Sequence, residues 1–389
     1  MALPITYNLR NLRERWKMTT LAICGIALVV AAFVSIIAMG MGFRIALAST
    51  GSTDNGIVVQ RGSGSELTSW LTRSQANLIQ VDSRVARGAD GQPLASCDIL
   101  VITAKPRRSD GQMTNISLRG VQPLAFQVRR GIKIVEGRNF QPGLNEVIVG
   151  KRIAERIQDF DLGKSINMQK RDWKIVGIFT NEGGSFESEI WGDYNVMSTA
   201  FLRSGGCESL TVRLNDPAAL TQFDKDLRAN PQMQVQMDQE RKYYEDQAGP
   251  VATGLLALAG FVAVVMGIGA VFGAMNTMYG IVAARTREVG TLRALGFSRF
   301  SILFSFLFES VLLALVAGLL GCLIALPINN LSGATGNTAG FAEIAFAFRV
   351  TPVALAVGLG FAVLMGFFGG LLPALRAARL PITTALREG

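Results

Sequence analysis

Four stretches of this chain are too long and too apolar to be ordinary surface or core segments. Met18–Phe43 and Gly249–Ala284 carry no charged residue, Phe300–Ile328 carries only Glu309, and Val350–Leu375 carries none. Each exceeds the roughly 20 residues that cross a hydrocarbon core of about 30 Å. A backbone in lipid has to satisfy its own hydrogen bonds, so such runs are read as helices. The pattern predicts an α-helical membrane protein with four transmembrane helices, over residues 18–43, 250–284, 300–328 and 350–375. Between the first and second of them lie about 200 residues of ordinary polarity, enough for a large separate domain.

Charge sorts these segments. The chain has 38 Lys+Arg and 29 Asp+Glu. Residues 45–248 hold 25 and 24 of them, which leaves 13 and 5 for everything else. The basic excess therefore flanks the apolar runs, and the basic face expected of a nucleic-acid-binding domain is absent. Arg10, Arg13, Arg15 and Lys17 precede span one, Arg285, Arg287, Arg293 and Arg299 lie between spans two and three, and Arg376, Arg379 and Arg387 follow span four. Loop 329–349 has one Arg and one Glu. By the positive-inside rule both termini and loop 285–299 are cytoplasmic, and segment 44–249 and loop 329–349 lie outside. Span one is read as an uncleaved anchor. Its basic flank and the "ALA" at Ala46–Ala48 suit a signal peptide, but its apolar run is about twice the usual length of roughly 7–15 residues.

The outside segment alternates strand-like runs with turn clusters. Residues 56–62, 97–104, 209–216 and 234–238 read as strands, and 66–79 and 217–230 as helices. Two strand–helix–strand units thus bracket a mostly β insert at about 105–206, with a hairpin at "SINMQ" and "WKIVGIF". The expected class is a large α+β extracytoplasmic domain, a split α/β sandwich. Span two is long enough, at about 54 Å for 36 helical residues, to rise out of the membrane as a stalk or to tilt with an interfacial end.

Few residues carry chemistry. There is no histidine, which removes the commonest general base and zinc ligand. No G-x-x-x-x-G-K-[ST] loop occurs, so any ATP used is bound by another chain, and no cofactor or metal is expected in this one. Glu182, Glu187, Glu189 and Asp193 form an acidic cluster that suits acid–base work, Ca²⁺ or, equally, a solvated loop. Cys97 and Cys207 fall in the outside segment, where a disulfide would persist, and two free thiols in separate strands explain them as well. Gly269/Gly273 and Gly366/Gly370 make G-x-x-x-G pairs, with Gly318 and Gly321 near neighbours in span three. Glu309, the one acid inside a span, has to face protein or water; a structural hydrogen bond between spans is its expected role, with a proton or substrate role as the alternative.

The loop "ARTREVGTLRALGFSR" reads either as a positive-inside anchor, which needs only its arginines, or as an ordered amphipathic turn. Arg285, Glu288, Leu292 and Leu295 fall on one face of a short helix that Gly296 is placed to end. The segment "FGAMNTMYGIVAARTREVGTLRALGFSRFSILFSFLFESVLLALVAGLLG" and the ending "GGLLPALRAARLPITTALREG" resemble the FtsX-like permease domain of MacB-type ABC transporters. "YNLRNLRERWKMTTLAICGIAL" is similar to the amphipathic N-terminal helix (here 1–17) and first span of that family. "VEGRNFQPGLNEVIVGKRIAERI" with "WKIVGIF" resembles its periplasmic core domain. The resemblance implies a homodimeric permease in a bacterial inner membrane, working with two copies of a separate ABC ATPase subunit that binds ATP and Mg. It implies that Arg285, Arg287, Glu288, Leu292, Arg293, Leu295 and Gly296 form the coupling helix that docks on the ATPase. It implies mechanotransmission: hydrolysis moves the stalk and outside domain, for efflux with a periplasmic adaptor and outer-membrane channel. Lipoprotein release or control of an envelope enzyme is the alternative within the family, and a receptor or scaffold the alternative outside it.

Overall fold

The computed structural model describes residues 16–336 and 342–381, so most of the helix expected over 1–17 and of the tail after 376 lies outside the described residues. The chain divides into two compact units.

The β-rich unit comprises Gly42–Ala252 and Ser332–Ala347. Its elements are β1 (Asn55–Gln60), β2 (Leu71–Thr72), β3 (Ala95–Pro106), β4 (Met113–Val121), β5 (Lys133–Gly137), β6 (Glu146–Gly150), β7 (Ser165–Met168), β8 (Arg171–Thr180), β9 (Glu189–Asp193), β10 (Gly206–Cys207), β11 (Ser209–Arg213) and β12 (Val235–Gln239). A last pair, β13 (Ser332–Gly336) and β14 (Glu343–Ala347), comes from the loop between the third and fourth spans. Ten strands make one sheet in the order β12-β1-β11-β3-β4-β9-β6-β8-β5, with β7 paired to β8. The hinge of this sheet is β3. Ala95–Asp98 pair with β11, and Ile99–Pro106 pair with β4. The bracketing units and the β insert expected from the sequence therefore share one sheet. The β7–β8 hairpin turns on Gln169 and Lys170, both at positive φ, as a two-residue turn of matching twist requires.

One expected helix is shorter than its pattern. Residues 66–79 split into a 3₁₀ turn (Glu66–Thr68), β2 and a helix that starts only at Arg73. Thr72 caps it, with Gln75 reaching back to the Thr72 backbone, a capping box that sets the start. Upstream, Leu71 pairs with Cys207 and Glu66 is drawn inside by Arg119, so local helical periodicity yields to tertiary contacts.

The helical unit comprises residues 1–41, 253–331 and 348–389. Its four long helices are α1 (Trp16–Ala48), α7 (Glu240–Ala284), α9 (Arg299–Ala325) and α10 (Pro352–Arg379), and α8 (Thr286–Ala294) links α7 to α9. The shorter helices α2 (Arg73–Gln80), α3 (Ala125–Val128), α4 (Lys151–Arg156), α5 (Tyr194–Ala200) and α6 (Leu220–Ala229) belong to the β-rich unit. All four long helices are long and apolar enough to cross a membrane. Small residues set their contacts. A Cβ added to Gly366 of α10 would lie 2.4 Å from the Ala314 Cβ of α9, and one on Gly321 of α9 would lie 2.6 Å from the Ala27 carbonyl oxygen of α1. By contrast Gly269 and Gly273 of α7 meet nothing within 4 Å. The continuous α7 runs 45 residues through Pro250, about 68 Å if regular, and Tyr243 and Tyr244 of its first turns are buried in the β-rich unit.

Candidate functional site

The residues singled out between spans two and three divide into an anchored set and a presented set. Arg285 ends α7 and turns inward. Its Nη1 donates to Glu309 Oε2 at 2.9 Å, its Nε donates to Glu288 Oε2 at 3.1 Å, and its guanidinium lies 4.9 Å from the centre of the Phe306 ring. Glu309 is 1% exposed and Arg285 8%. The acid inside span three thus has its basic partner 24 residues earlier in the chain, and the pair ties the start of α8 to the middle of α9. At the other end, Arg293 Nη1 donates to the Ala378 carbonyl of α10 at 2.9 Å. Gly296, at φ +94°, closes α8 with bonds from its own N–H to Arg293 O and from Phe297 N–H to Leu292 O, the pairing of a Schellman end.

This changes the expected docking face. Arg285, Glu288, Leu292 and Leu295 were expected to point one way. Arg285 is buried, and Leu292 packs against the cluster built on Met278, Ile302, Phe306 and Ala377. A cation beside a buried carboxylate and a leucine beside an apolar cluster both gain more inward than outward. Leu295 is 73% exposed, and Arg287 and Glu288 are exposed as well. Of the residues singled out, α8 and its C-cap therefore offer Arg287, Glu288 and Leu295 outward.

The β-rich unit holds a second constellation, which composition did not single out. Arg119 on β4 bonds both oxygens of Glu66 and both of Glu189. Arg129 bonds Asp98 on β3 at 2.6 Å, Glu240 at the start of α7 at 2.8 Å and the Thr211 hydroxyl on β11. All six charged groups are buried. Burial by itself would raise the Glu66 carboxyl, but the charge and hydrogen bonds of Arg119, with the Ser209 hydroxyl and the more distant Arg129, hold it down to about 2. Paired guanidiniums and carboxylates of this kind fix register, since breaking one leaves an uncompensated buried charge. Here they lock β3, β4, β9, β11 and the α7 N-terminus together.

The acidic cluster is dispersed by the fold. Glu187 accepts from the Thr180 hydroxyl and from the Asn181 and Gly183 N–H groups, Glu189 pairs with Arg119, and Asp193 caps α5 through Val196 N–H. Only Glu182 is exposed, paired with Lys133 at 2.9 Å. Three of the four are buried rather than solvated, and among the described residues no group of acids, cysteines or histidines is placed to hold a metal.

Cys97 on β3 and Cys207 on β10 are joined in a disulfide across 110 residues. Beside it, Glu208 accepts from Leu100 N–H, while its other oxygen has only Arg203 Nη1 at 3.5 Å, too far for a good hydrogen bond. Burial pushes the Glu208 carboxyl up to about 7. A carboxyl raised from its unfolded value near 4.5 favours folding below that value, and the advantage is lost as pH rises through 7. Glu208→Gln keeps the acceptor and removes the titration. Its stability relative to wild type is expected to rise by about 2 kcal/mol between pH 5 and pH 8, after discounting for partial solvent access. Denaturant unfolding at the two pH values checks this, and a gap that does not change with pH contradicts it.

Comparison with known proteins places these features. The family described as MacB-like periplasmic core domain matches residues 19–230, and the family described as FtsX-like permease C-terminal matches residues 260–382. A macrolide export ATP-binding/permease protein MacB of Neisseria gonorrhoeae is 27% identical over 398 residues, covering 95% of this chain. A pyoverdine export ATP-binding/permease protein PvdT of Pseudomonas fluorescens is 25% identical over 391 residues, again covering 95%. The chain spans 58% of the length of the first relative and 56% of the second. The crystal structure of the periplasmic region of MacB from Actinobacillus actinomycetemcomitans matches 50% of this chain and 92% of its own, with 14% identity and a TM-score of 0.37. The two family matches follow one another along one chain, the first taking in span one and most of the β-rich domain and the second most of span two, α8 and spans three and four; the chain belongs to the MacB/FtsX-like family of ABC transporter permeases.

Proposed function

We propose that this chain is the membrane subunit of a dimeric ABC exporter that converts ATP hydrolysis on a partner subunit into movement of its β-rich domain. The observation that carries this reading is the build of α8: anchored at one end through Arg285 to Glu309 and at the other through Arg293 to α10, it offers Arg287, Glu288 and Leu295 outward. A short helix fixed to two spans passes on a push instead of flexing. The charge distribution supports placing α8 and both chain ends in the cytoplasm and the β-rich domain in the periplasm of an inner membrane. With no phosphate-binding loop in these residues, ATP and Mg are assigned to a separate ATPase subunit, two copies per dimer. The chain itself then catalyses nothing. The names of both relatives support export as the direction of work, with an adaptor and outer-membrane channel as further partners.

The α8 surface is tested with Leu295→Asp and Arg287→Glu. Both side chains are exposed, and substitutions at such sites usually stay within about 0.5 kcal/mol in stability. Each variant is expected to fold and insert as wild type does, yet to lose at least tenfold of the ATPase activity that co-purifies with the tagged chain from its native membrane. Undiminished co-purification with both variants would reduce α8 to an orientation signal.

A further inference from the structure

Four buried carboxylates of the β-rich unit share two buried arginines. Among the described residues, every ion pair of Glu66, Asp98, Glu189 and Glu240 is with Arg119 or Arg129. Four carboxylates against two guanidiniums leave two negative charges in excess inside the protein, where charges are paired or bind a cation. Neutral donors spread part of that charge without cancelling it. Asp98 accepts from the Ser96 hydroxyl, Glu240 from the Ser52 N–H and the Asn55 amide, and Glu66 from the Ser209 and Tyr244 hydroxyls. Of the four acids, Glu66 and Glu189 line a cavity of about 50 Å³. With both guanidinium bonds and both hydroxyls, Glu66 is fully engaged. Glu189 is not. Its Oε2 accepts from Arg119 Nε and Trp191 Nε1, while its Oε1 accepts only from Arg119 Nη2, at 2.9 Å. A carboxylate oxygen has about two acceptor positions, so one at Oε1 stays open.

A second observation comes from β4. Ile116 and Leu118 point into the apolar core, so Ser117 and Arg119 stand on the opposite face, and both line the cavity. Ser117 is 9% exposed, and its hydroxyl makes no hydrogen bond with any described residue. It is the register partner of Glu189 across the β4–β9 pairing, so the two side chains stand next to each other. The Ser65 and Ser188 hydroxyls also line the cavity. An acid with spare acceptor capacity and a buried hydroxyl with no protein partner thus face one small space.

From this charge excess and these oxygens we infer that the cavity binds a small monovalent cation, Na⁺ or K⁺, held by Glu189 Oε1 and the Ser117 hydroxyl. Hard cations take oxygen ligands, and divalent ones draw on several carboxylates at once. With one carboxylate oxygen open and the rest of the polar lining largely hydroxyl, the site suits the weaker demand of a single charge. At roughly 10–15 Å³ for each water, the cavity has room for an ion with part of its hydration. The ion sits beside Arg119 and Glu66, and Glu66 in turn accepts from Tyr244 in the first turns of α7. It therefore completes the lock between β4, β9 and the start of α7, and makes that lock depend on the salt around the domain. Nothing in the sequence marks Ser117, and Glu189 stands out there only as one of four clustered acids. The inference goes beyond the proposed function and does not rest on it.

The test uses the full chain in detergent or nanodiscs. Thermal unfolding is followed by tryptophan fluorescence in NaCl, KCl and N-methylglucamine chloride at matched ionic strength, with CaCl₂ as a divalent control. Three of the four tryptophans, Trp70, Trp173 and Trp191, lie in the β-rich unit, and Trp191 donates to Glu189 itself. At about 100 times its dissociation constant, the ion is expected to raise the midpoint by at least about 5 °C over the bulky organic cation, and to saturate. Ser117→Ala keeps every charge and removes one oxygen. It is expected to move the midpoint-against-concentration curve to at least about tenfold higher cation, while Ser117→Thr keeps the wild-type dependence. Glu189→Gln is expected to abolish the dependence, and Ser117→Ala carries the test if that variant does not fold. A rise with both Na⁺ and K⁺ supports the site, and a rise with one of them names its occupant. Equal midpoints in the three monovalent salts would overturn the proposal, since a proton or the neutral donors would then balance the charge. A cation dependence unchanged in Ser117→Ala, or a rise with CaCl₂ alone, would overturn it as well. No ATPase activity or transport is measured, so failure of the site leaves the transporter reading where it stands.

Discussion

Replacing Arg285 with alanine is expected to cost the folded chain about 3–5 kcal/mol, because it strands Glu309 without its cation inside a span. A buried pair is expensive to break from one side and far less expensive to remove whole. Arg285→Ala with Glu309→Gln is therefore expected to regain more than half of the loss, and Arg285→Met with Glu309→Leu to approach wild type. The two residues touch, so their effects should be strongly non-additive. Thermal or denaturant unfolding of the purified chain across this double-mutant cycle gives the coupling directly. Additive losses, or an Arg285→Ala variant within about 0.5 kcal/mol of wild type, would show that the pair does not hold α8 to α9.

Removing the disulfide with Cys97→Ala and Cys207→Ala is expected to cost about 2–4 kcal/mol, chiefly because the bond closes a loop of more than 100 residues in the unfolded chain. Both sulfurs are buried, so the bond should survive mild reductant while the domain is folded. Alkylation gives an independent reading. In denaturant without reductant, two of the four cysteines should react, Cys24 and Cys322, and all four after reduction. Four reactive thiols in unreduced protein from oxidising membranes would exclude the bond. A double variant as stable as wild type would leave it present but idle.

These two sites show how unevenly local sequence speaks of the final structure. The four spans were legible because runs of 26 or more mostly apolar residues with at most one charge have no other physical outlet, and the large inserted domain because polarity returns for about 200 residues between the first and second of them. Strands β3, β11 and β12 and helix α6 were legible from alternation, helical spacing and turn residues, within a few residues at each end. The turn after α8 was legible from Gly296, which alone among its neighbours takes positive φ without strain. Glu309 was marked as a residue in need of a partner, since a lone carboxylate in an apolar run demands one.

The identity of each partner was not legible. That Glu309 takes Arg285 and not Arg299, that Cys97 takes Cys207, and that Glu343 takes Arg107 and Arg156 depends on which segments meet in space. The same holds for the dispersal of Glu187, Glu189 and Asp193 and for the break in the helix expected over 66–79, where Arg119 draws Glu66 inside. Periodicity and composition act over one or two turns and report where apolar surface has to go. Ion pairs, disulfides and sheet order join residues tens to hundreds of positions apart, and only the packed chain brings those together. For this protein the sequence by itself determined the membrane spans, the inserted domain and the helical loop between spans two and three. Tertiary structure decided which face that loop presents, because burying Arg285 and packing Leu292 against an apolar cluster left Arg287, Glu288 and Leu295 outside.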